Sequence, residues 1–326
     1  MSNNLKYLNI EEQIEHLLDK GLLIPSKKLA KKYLQDIGYY KLINGYRTPF
    51  LTSIMENGQT YEKYCKNTTI DDLYHLYQFD QALKSLILKN ISSIEVMVKS
   101  RMSDVISSKY GIKESEYLLA TNFKQDNNNS KSKKFIDIQC EILKTINNQK
   151  NKHNAIKWYT KNYGYYPFWV VSNILTLGTI SQLYSIMKQP DQYNISNTFG
   201  IKSKLFESML MIMQLFRNAC AHNEIVYNLR TFCSLSQKDI KHIYNQFSIK
   251  INTKSGKYQK GTNDLFALII IFKLLLSKGH FTEFISQLKS LLNNLKKKID
   301  NNKYLYILDT MGIVGDLDIL KNMHIK

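Results

Sequence analysis

The chain has 326 residues, with 45 Lys or Arg against 27 Asp or Glu, so its formal net charge is +18. This length allows about two domains, and the low content of Pro (4) and Gly (13) favours helices over a β architecture with many turns. The charge indicates a polyanionic partner, nucleic acid rather than a membrane surface. Because no apolar stretch has the length of a membrane span and the amino terminus lacks a signal-peptide pattern, we expect a cytoplasmic protein.

Residues 1–66 are predicted to form an N-terminal extension. Apolar residues at helical spacing predict helices over 8–23 and 27–37, separated by Gly and Pro. A Tyr-rich segment follows, in which Lys41, Tyr46 and Arg47 are candidates for stacking on bases and binding phosphates of RNA. Alternatively, this segment is an elbow that packs the N-terminal helices onto the rest of the protein.

A capping box at Thr69 begins a helix predicted to run to about residue 107. Its apolar stripe includes the polar residues Asp80, Asn90 and Arg101, and Glu95 lies on the adjoining row. Buried polar groups of this kind need partners, because an unpaired buried charge is strongly unfavourable. Two interpretations stay open: Asp80, Glu95 and Arg101 form structural ion pairs, or they support an active site by orienting its Arg or His.

The remaining chain, 67–326, is predicted to be a single helical domain, which makes the protein all-α. A polar, low-complexity segment within 124–134 predicts a flexible loop. A basic loop or small hairpin is predicted within 246–263, and the tail from residue 304 is expected to pack. Further helices are predicted over 135–147, 170–187, 264–278 and 281–299.

The segment 215–224 (LFRNACAHNE) ends an apolar run that starts near residue 205. It places the guanidinium of Arg217, the carboxamide of Asn218 and the imidazole of His222 within six residues. On a helix, Asn218 and His222 lie within about 40° of each other, whereas Arg217 and His222 differ by about 140°. Bringing all three to one phosphate requires a break in the helix or a second copy of the segment, so we predict a homodimer with a composite site.

These side chains suit phosphoryl transfer in RNA. An imidazole can take a proton from a ribose hydroxyl or deliver one to the leaving oxygen, and a guanidinium can stabilise charge that develops on the phosphate. Attack by a 2′-hydroxyl leaves a cyclic phosphate and a free 5′-hydroxyl. Glu224 is the only carboxylate close by in sequence, and no cluster has metal-ligand spacing, so we expect neither a metal nor another cofactor.

Arginine is scarce in this chain. Only Arg47, Arg101, Arg217 and Arg230 occur among the 45 basic residues. A guanidinium is a planar fork that binds phosphate or carboxylate through two parallel hydrogen bonds, which an ammonium cannot do. Arg230 is therefore a further candidate RNA contact.

The motif also has a purely structural interpretation, since short patterns arise by chance. Arg217 would then pair with a buried acid such as Asp80 or Glu95, and His222 would cap the carboxyl end of its helix, where positive charge is favoured. The residues alone leave both interpretations open.

The sequence also resembles a known family. Residues 217–222 match the RNxxxH signature of the HEPN superfamily, a helical fold with many metal-independent ribonucleases. The similarity to the Abi-like family (AbiD/AbiF, bacterial abortive-infection proteins) extends over most of the chain, except the loop around residue 127 and the tail. It is carried by EEQIEHLL at 11–18, YYKLINGY at 39–46, PF at 49–50, FD at 79–80 and IE at 94–95.

This resemblance implies an all-α, HEPN-like helical bundle with an N-terminal helical extension and inserted loops. It implies a phage-defence protein that cleaves RNA at Arg217, Asn218 and His222, with a second copy of the motif supplied by a homodimer. Two alternatives remain: an RNA-binding scaffold that holds a structured RNA in a defence system, and the toxin of a toxin–antitoxin pair.

Overall fold

The computed structural model describes residues 7–56, 59–124, 129–254 and 256–323. The described chain is a helical bundle, which confirms the all-α prediction, and its one sheet has two strands. The α-helices are α1 Ile10–Asp19, α2 Lys27–Ile37, α3 Ile70–Tyr110, α4 Glu114–Tyr117, α5 Asn129–Gln149, α6 Asn154–Asn162, α7 Phe168–Ile174, α8 Leu177–Ile186, α9 Gln189–Asn197, α10 Ser203–Ala221, α11 Lys241–Gln246, α12 Leu265–Leu275, α13 Lys278–Lys296, α14 Asn301–Thr310 and α15 Asp318–Asn322.

The N-terminal segment contains the two predicted helices and a hairpin that was not predicted. Helix α1 begins later than expected, at a capping box formed by Asn9 and Glu12, while α2 has its predicted bounds. A π-helical turn, Tyr40–Asn44, follows. Strands β1 (Leu51–Glu56) and β2 (Gln59–Tyr64) then pair antiparallel.

Helix α3 has 41 residues and organises the fold. Its capping box at Thr69 is as predicted, and the helix ends three residues later than expected, at Tyr110. Its buried row continues through Ile94, Val98 and Met102 in steps of four. Arg101 is adjacent to that row, about 100° around the axis from Met102, and its side chain is exposed. The prediction that Arg101 lies on the apolar face is therefore wrong.

The carboxyl end of α3 binds a buried carboxylate on α9. Asp191 has no exposed surface. It accepts hydrogen bonds from Nζ of Lys109 and from the hydroxyl of Tyr110, each at 2.5 Å. Helix α9 is thereby tied to the last turn of α3.

The helix predicted over 170–187 is two helices, α7 and α8. They are separated at Leu175 and Thr176, where the hydroxyl of Thr176 accepts a 3.1 Å hydrogen bond from the backbone N–H of Thr179. A Thr at this position caps a new helix because its hydroxyl satisfies a backbone donor of the first turn. The segment 246–263 contains the predicted small hairpin as an isolated antiparallel bridge between Ile251 and Tyr258.

One hydrophobic core joins the N-terminal segment to the rest of the protein. Leu42, Tyr46 and Phe50 belong to the same buried cluster as the inner face of α3 and the whole circumference of α12. The last helix also packs, because Leu320 is fully buried. No helix in the described part of the chain combines the length and apolar character needed to cross a bilayer. The boundary at residue 66 stays a prediction. Of the loop predicted within 124–134, residues 125–128 lie outside the described residues, whereas residues 129–134 belong to α5, which begins earlier than expected.

Candidate active site at the carboxyl end of α10

Helix α10 carries the RNxxxH segment in its last turns. Its apolar side, including Met213, Phe216 and Cys220, is buried against the core. Arg217 and Asn218 are half-buried, and His222, which ends the helix, is exposed. The helix is continuous as far as Ala221, so no break turns Arg217 towards His222.

The guanidinium of Arg217 has no acidic partner among the residues that the structure describes. Its only hydrogen bond within the described residues is a long one, 3.4 Å from Nη1 to Oδ1 of Asn218. The structural interpretation pairs Arg217 with a buried acid such as Asp80 or Glu95. Among the described residues neither carboxylate pairs with Arg217: Asp80 binds Lys84 and Glu95 binds Lys99.

The backbone after His222 forms a tight turn. Asn223 has a φ of +55°, in the left-handed region that non-glycine residues rarely adopt. Its N–H donates to the carbonyl of Cys220 at 3.1 Å, and the N–H of Glu224 donates to the carbonyl of Ala219 at 2.8 Å. This pair of bonds is a Schellman motif, which satisfies the last carbonyls of the helix.

Asp80 binds the chain that follows this turn. Its Oδ1 accepts hydrogen bonds from the backbone N–H groups of Val226 (3.1 Å) and Tyr227 (2.9 Å). Its Oδ2 accepts a 2.8 Å hydrogen bond from the hydroxyl of Tyr46 and lies 3.0 Å from Nζ of Lys84. Asp80 has no exposed surface, and its four donors compensate for that burial. Asp80 therefore contacts the chain just after the motif, and its supporting role in an active site stays a prediction.

Two further residues of α3 contact the turn, and sequence analysis did not identify them. Lys84 Nζ lies 2.9 Å and Gln81 Nε2 lies 3.0 Å from Oδ1 of Asn223. The spacing of Asp80 and Lys84, four residues apart on a helix, is a signal for their ion pair. The contacts of Lys84 and Gln81 with Asn223 join residues about 140 positions apart, and no local sequence pattern predicts them.

The other two predicted supporting residues are remote from the motif. At about 1.5 Å per residue, Glu95 and Arg101 lie roughly 22 Å and 31 Å along α3 from Asp80. Glu95 pairs with Lys99 at 2.7 Å, and Lys99 also donates to the carbonyl of Leu175. No contact joins Glu95 or Arg101 to the motif in the described ranges.

Two of the predicted RNA contacts lie beside Asp80, with different exposure. Tyr46 has no exposed surface, and its ring packs against Tyr77 and Tyr227. A ring buried in this way cannot stack on a base, so the prediction for Tyr46 is corrected to a structural role. Lys41 is half-buried. Burial, and then the nearby charge of Lys84, lower the pKa of Lys41, while Asp80 opposes this shift.

The two predicted arginine contacts have acidic partners. Arg47 Nη2 lies 3.8 Å from Oε2 of Glu62 on β2, and its side chain is 33% exposed. Arg230 donates to Oδ2 of the buried Asp264 at 2.5 Å and to the carbonyl of Thr310 at 3.0 Å. Arg230 therefore joins the segment after the motif to α12 and α14. Its use as an RNA contact stays a prediction.

The π-helical turn comes close to the residues after the motif. A Cβ at Gly45 would lie only 3.0 Å from Cδ1 of Ile225, so only a glycine allows this approach without a shift of Ile225. The candidate site thus combines three parts of the chain: the turn at 40–45, the first third of α3 and the end of α10. No group of three or more His, Cys, Asp or Glu in the described part of the chain is placed to hold a metal ion.

Comparison with known protein families matches residues 32–228 to the family described as Abi-like protein. The matched region is more than half of the chain and includes Asp80, Lys84 and the RNxxxH segment. The chain belongs to the Abi-like protein family. This match confirms the resemblance to the Abi-like family, and membership of that family connects the chain with abortive infection, a form of phage defence. No curated protein and no solved structure matches it.

Proposed function

We propose that this Abi-like protein is a HEPN endoribonuclease that acts in phage defence. The observation that carries the proposal is the state of the three motif side chains. Arg217 has no carboxylate partner in the described chain, Asn218 is half-exposed and His222 is exposed at the end of α10. A structural arginine of a folded core would be expected to bind an acid, as Arg230 binds Asp264.

The proposed reaction uses only the chain's own groups. His222 takes the proton of a ribose 2′-hydroxyl, and the 2′-oxygen attacks the adjacent phosphorus. The bond from phosphorus to the 5′-oxygen breaks, and that oxygen receives a proton from an imidazolium. Arg217 stabilises the charge on the phosphate oxygens. The products are a 2′,3′-cyclic phosphate and a 5′-hydroxyl.

We further propose that two copies of the chain build each site. Because α10 is continuous through Ala221, Arg217 and His222 point in directions about 140° apart. A guanidinium from one copy and an imidazole from the other can meet at one phosphate without a break in the helix. A homodimer that apposes the ends of its two α10 helices satisfies this geometry.

Cleavage of labelled tRNA and mRNA in EDTA tests the activity. Wild type should cleave with cyclic phosphate ends, and His222→Ala should lose at least about 10²-fold in rate. The matched control is His242→Ala, which removes an exposed imidazole on α11 and should cleave as wild type does. Equal rates for wild type and His222→Ala would reject a catalytic role for His222, and loss of cleavage in EDTA would reject the metal-free mechanism.

Mixing two inactive variants tests the composite site. An Arg217→Ala chain paired with a His222→Ala chain retains one intact guanidinium and one intact imidazole on opposite copies. We expect the mixture to recover part of the wild-type cleavage that neither variant shows alone. No recovery, in a mixture shown to contain heterodimers, would place the whole site within one chain.

An RNA-binding scaffold is the second candidate, and the net charge of +18 favours it independently of the motif. In that case wild type binds RNA without cleaving it. Arg217→Ala would then weaken binding, and toxicity in cells would depend on another protein.

A further inference from the structure

The side chain of Asn223 accepts hydrogen bonds that the turn itself does not need. Glycine is the usual residue at this position of a Schellman motif, because it adopts positive φ without strain. Asn223 adopts a φ of +55° and in addition presents Oδ1 to two donors on α3, Lys84 Nζ at 2.9 Å and Gln81 Nε2 at 3.0 Å. Both acceptor positions of that oxygen are therefore used.

Lys84 is a rigid anchor for this contact. Its side chain is only 5% exposed, and Asp80 neutralises its charge at 3.0 Å. Asp80 also binds the backbone of Val226 and Tyr227. Residues on one face of α3 thus bind the chain after His222 at two places. The first is the side chain of Asn223, and the second is the backbone of Val226 and Tyr227, three and four residues after Asn223.

His222 itself has no such support. Its side chain is exposed and makes no hydrogen bond within the described residues, and its backbone N–H donates to the carbonyl of Asn218 at 2.9 Å. The position of its imidazole is set through the backbone on its two sides. The helix fixes one side, and the contacts of Asn223 fix the other.

We propose that Asn223 is a positioning residue for His222, and that Lys84 and Gln81 hold Asn223 so that the imidazole meets the substrate at the correct place. This inference rests on the proposed ribonuclease function. Asn223 does not touch substrate in this scheme and acts only through its neighbour. Because a misplacement of about 1 Å can reduce a catalysed rate by about 10²-fold, a loosened turn is expected to slow cleavage without unfolding the protein.

Two substitutions at residue 223 separate the side-chain contact from the turn. Asn223→Gly keeps the favoured left-handed backbone and removes the acceptor for Lys84 and Gln81. Asn223→Asp keeps an acceptor at the same place. We expect Asn223→Gly to reduce kcat for RNA by at least about tenfold with KM within about twofold, and Asn223→Asp to recover most of that loss. Thermal unfolding of both variants checks that the fold is intact.

A second measurement does not depend on cleavage. In protein labelled with ¹³C at histidine, the His222 imidazole signal is assigned by its absence in His222→Ala. We expect this signal to shift or broaden in Asn223→Gly and to remain close to wild type in Asn223→Asp, while the His242 signal stays unchanged in both.

The outcomes distinguish the two levels of the proposal. If wild type does not cleave RNA, the proposed function fails, and the histidine signal alone then decides whether Asn223 positions His222. If Asn223→Gly cleaves as fast as wild type, or its His222 signal is unchanged, the positioning role is rejected. A rise in KM with constant kcat would also reject it, because Asn223 would then contribute to RNA binding.

Discussion

The hydroxyl of Tyr46 lies 2.8 Å from Oδ2 of Asp80, and this contact joins the N-terminal segment to the residue that holds the chain after the motif. Tyr46 is fully buried. Burial, and then the charge of Asp80, raise the pKa of Tyr46 far above its ordinary value, so the hydroxyl remains a donor throughout the physiological pH range. The N-terminal segment is therefore a structural part of the candidate site.

Replacing Tyr46 with Phe should destabilise the protein. The substitution removes a hydrogen bond to a charged, buried acceptor, for which a loss of about 1.5–3 kcal/mol is typical. Urea unfolding of Tyr46→Phe measures the change. Tyr40→Phe is the matched control, because that residue is 80% exposed and its hydroxyl group makes no hydrogen bond within the described residues. An equal loss in both variants would contradict the importance of the Asp80 contact.

The thiol of Cys220 should resist alkylation in the folded protein. Burial, and then the charge of Asp80, raise the pKa of Cys220 to about 12, so its reactive thiolate is scarce at pH 8. Iodoacetamide should modify the exposed Cys140 first, and Cys220 only after unfolding in urea. Peptide mass spectrometry gives both extents. Modification of Cys220 as fast as Cys140 in native protein would show that the end of α10 is not packed as described.

Arg217→Lys should separate charge from geometry. An ammonium keeps the positive charge but cannot make two parallel hydrogen bonds to a phosphate. If the guanidinium stabilises the transition state, cleavage should fall by about 10²-fold or more while RNA affinity changes little. Arg101→Lys, at an exposed position far along α3, should cleave normally. Full activity of Arg217→Lys would show that only charge is needed there.

Lys41 should contribute to the salt dependence of RNA binding. Each phosphate of a single strand that a cation neutralises adds about −0.7 to the slope of log K against log salt. Lys41→Ala should therefore make the slope shallower by about that amount. Lys161→Ala removes an exposed lysine on α6 and should leave the slope unchanged. If both variants change the slope equally, binding depends on overall charge and not on this site.

The sequence allowed good predictions where local chemistry decides the structure. The capping box at Thr69 and the bounds of α2 follow from residues a few positions apart, and both were predicted. The hairpin at 51–64 was missed because most of its residues are exposed on both faces, so no alternation of apolar and polar residues marks it.

Contacts between distant parts of the chain could not be predicted in the same way. Three polar groups at the end of an apolar helix single out Arg217, Asn218 and His222, whereas no local pattern marks Lys84, Gln81 and Asn223 as part of the candidate site. The sequence around each of these three residues does not predict their contact. That contact exists only because α3 packs beside α10. For Tyr46 the sequence leaves an RNA contact and a packed elbow both open, because a Tyr-rich segment has the same composition whether its rings are buried or exposed; the structure shows the packed elbow.

Helix α3 also connects two distant parts of the protein. At about 1.5 Å per residue it is roughly 60 Å long. Its own Asp80 and its contacts with the motif turn lie near one end, and its contacts with Asp191 lie at the other. One continuous helix therefore contacts both α9 and the turn after His222, and these two contacts lie about 40 Å apart along its axis.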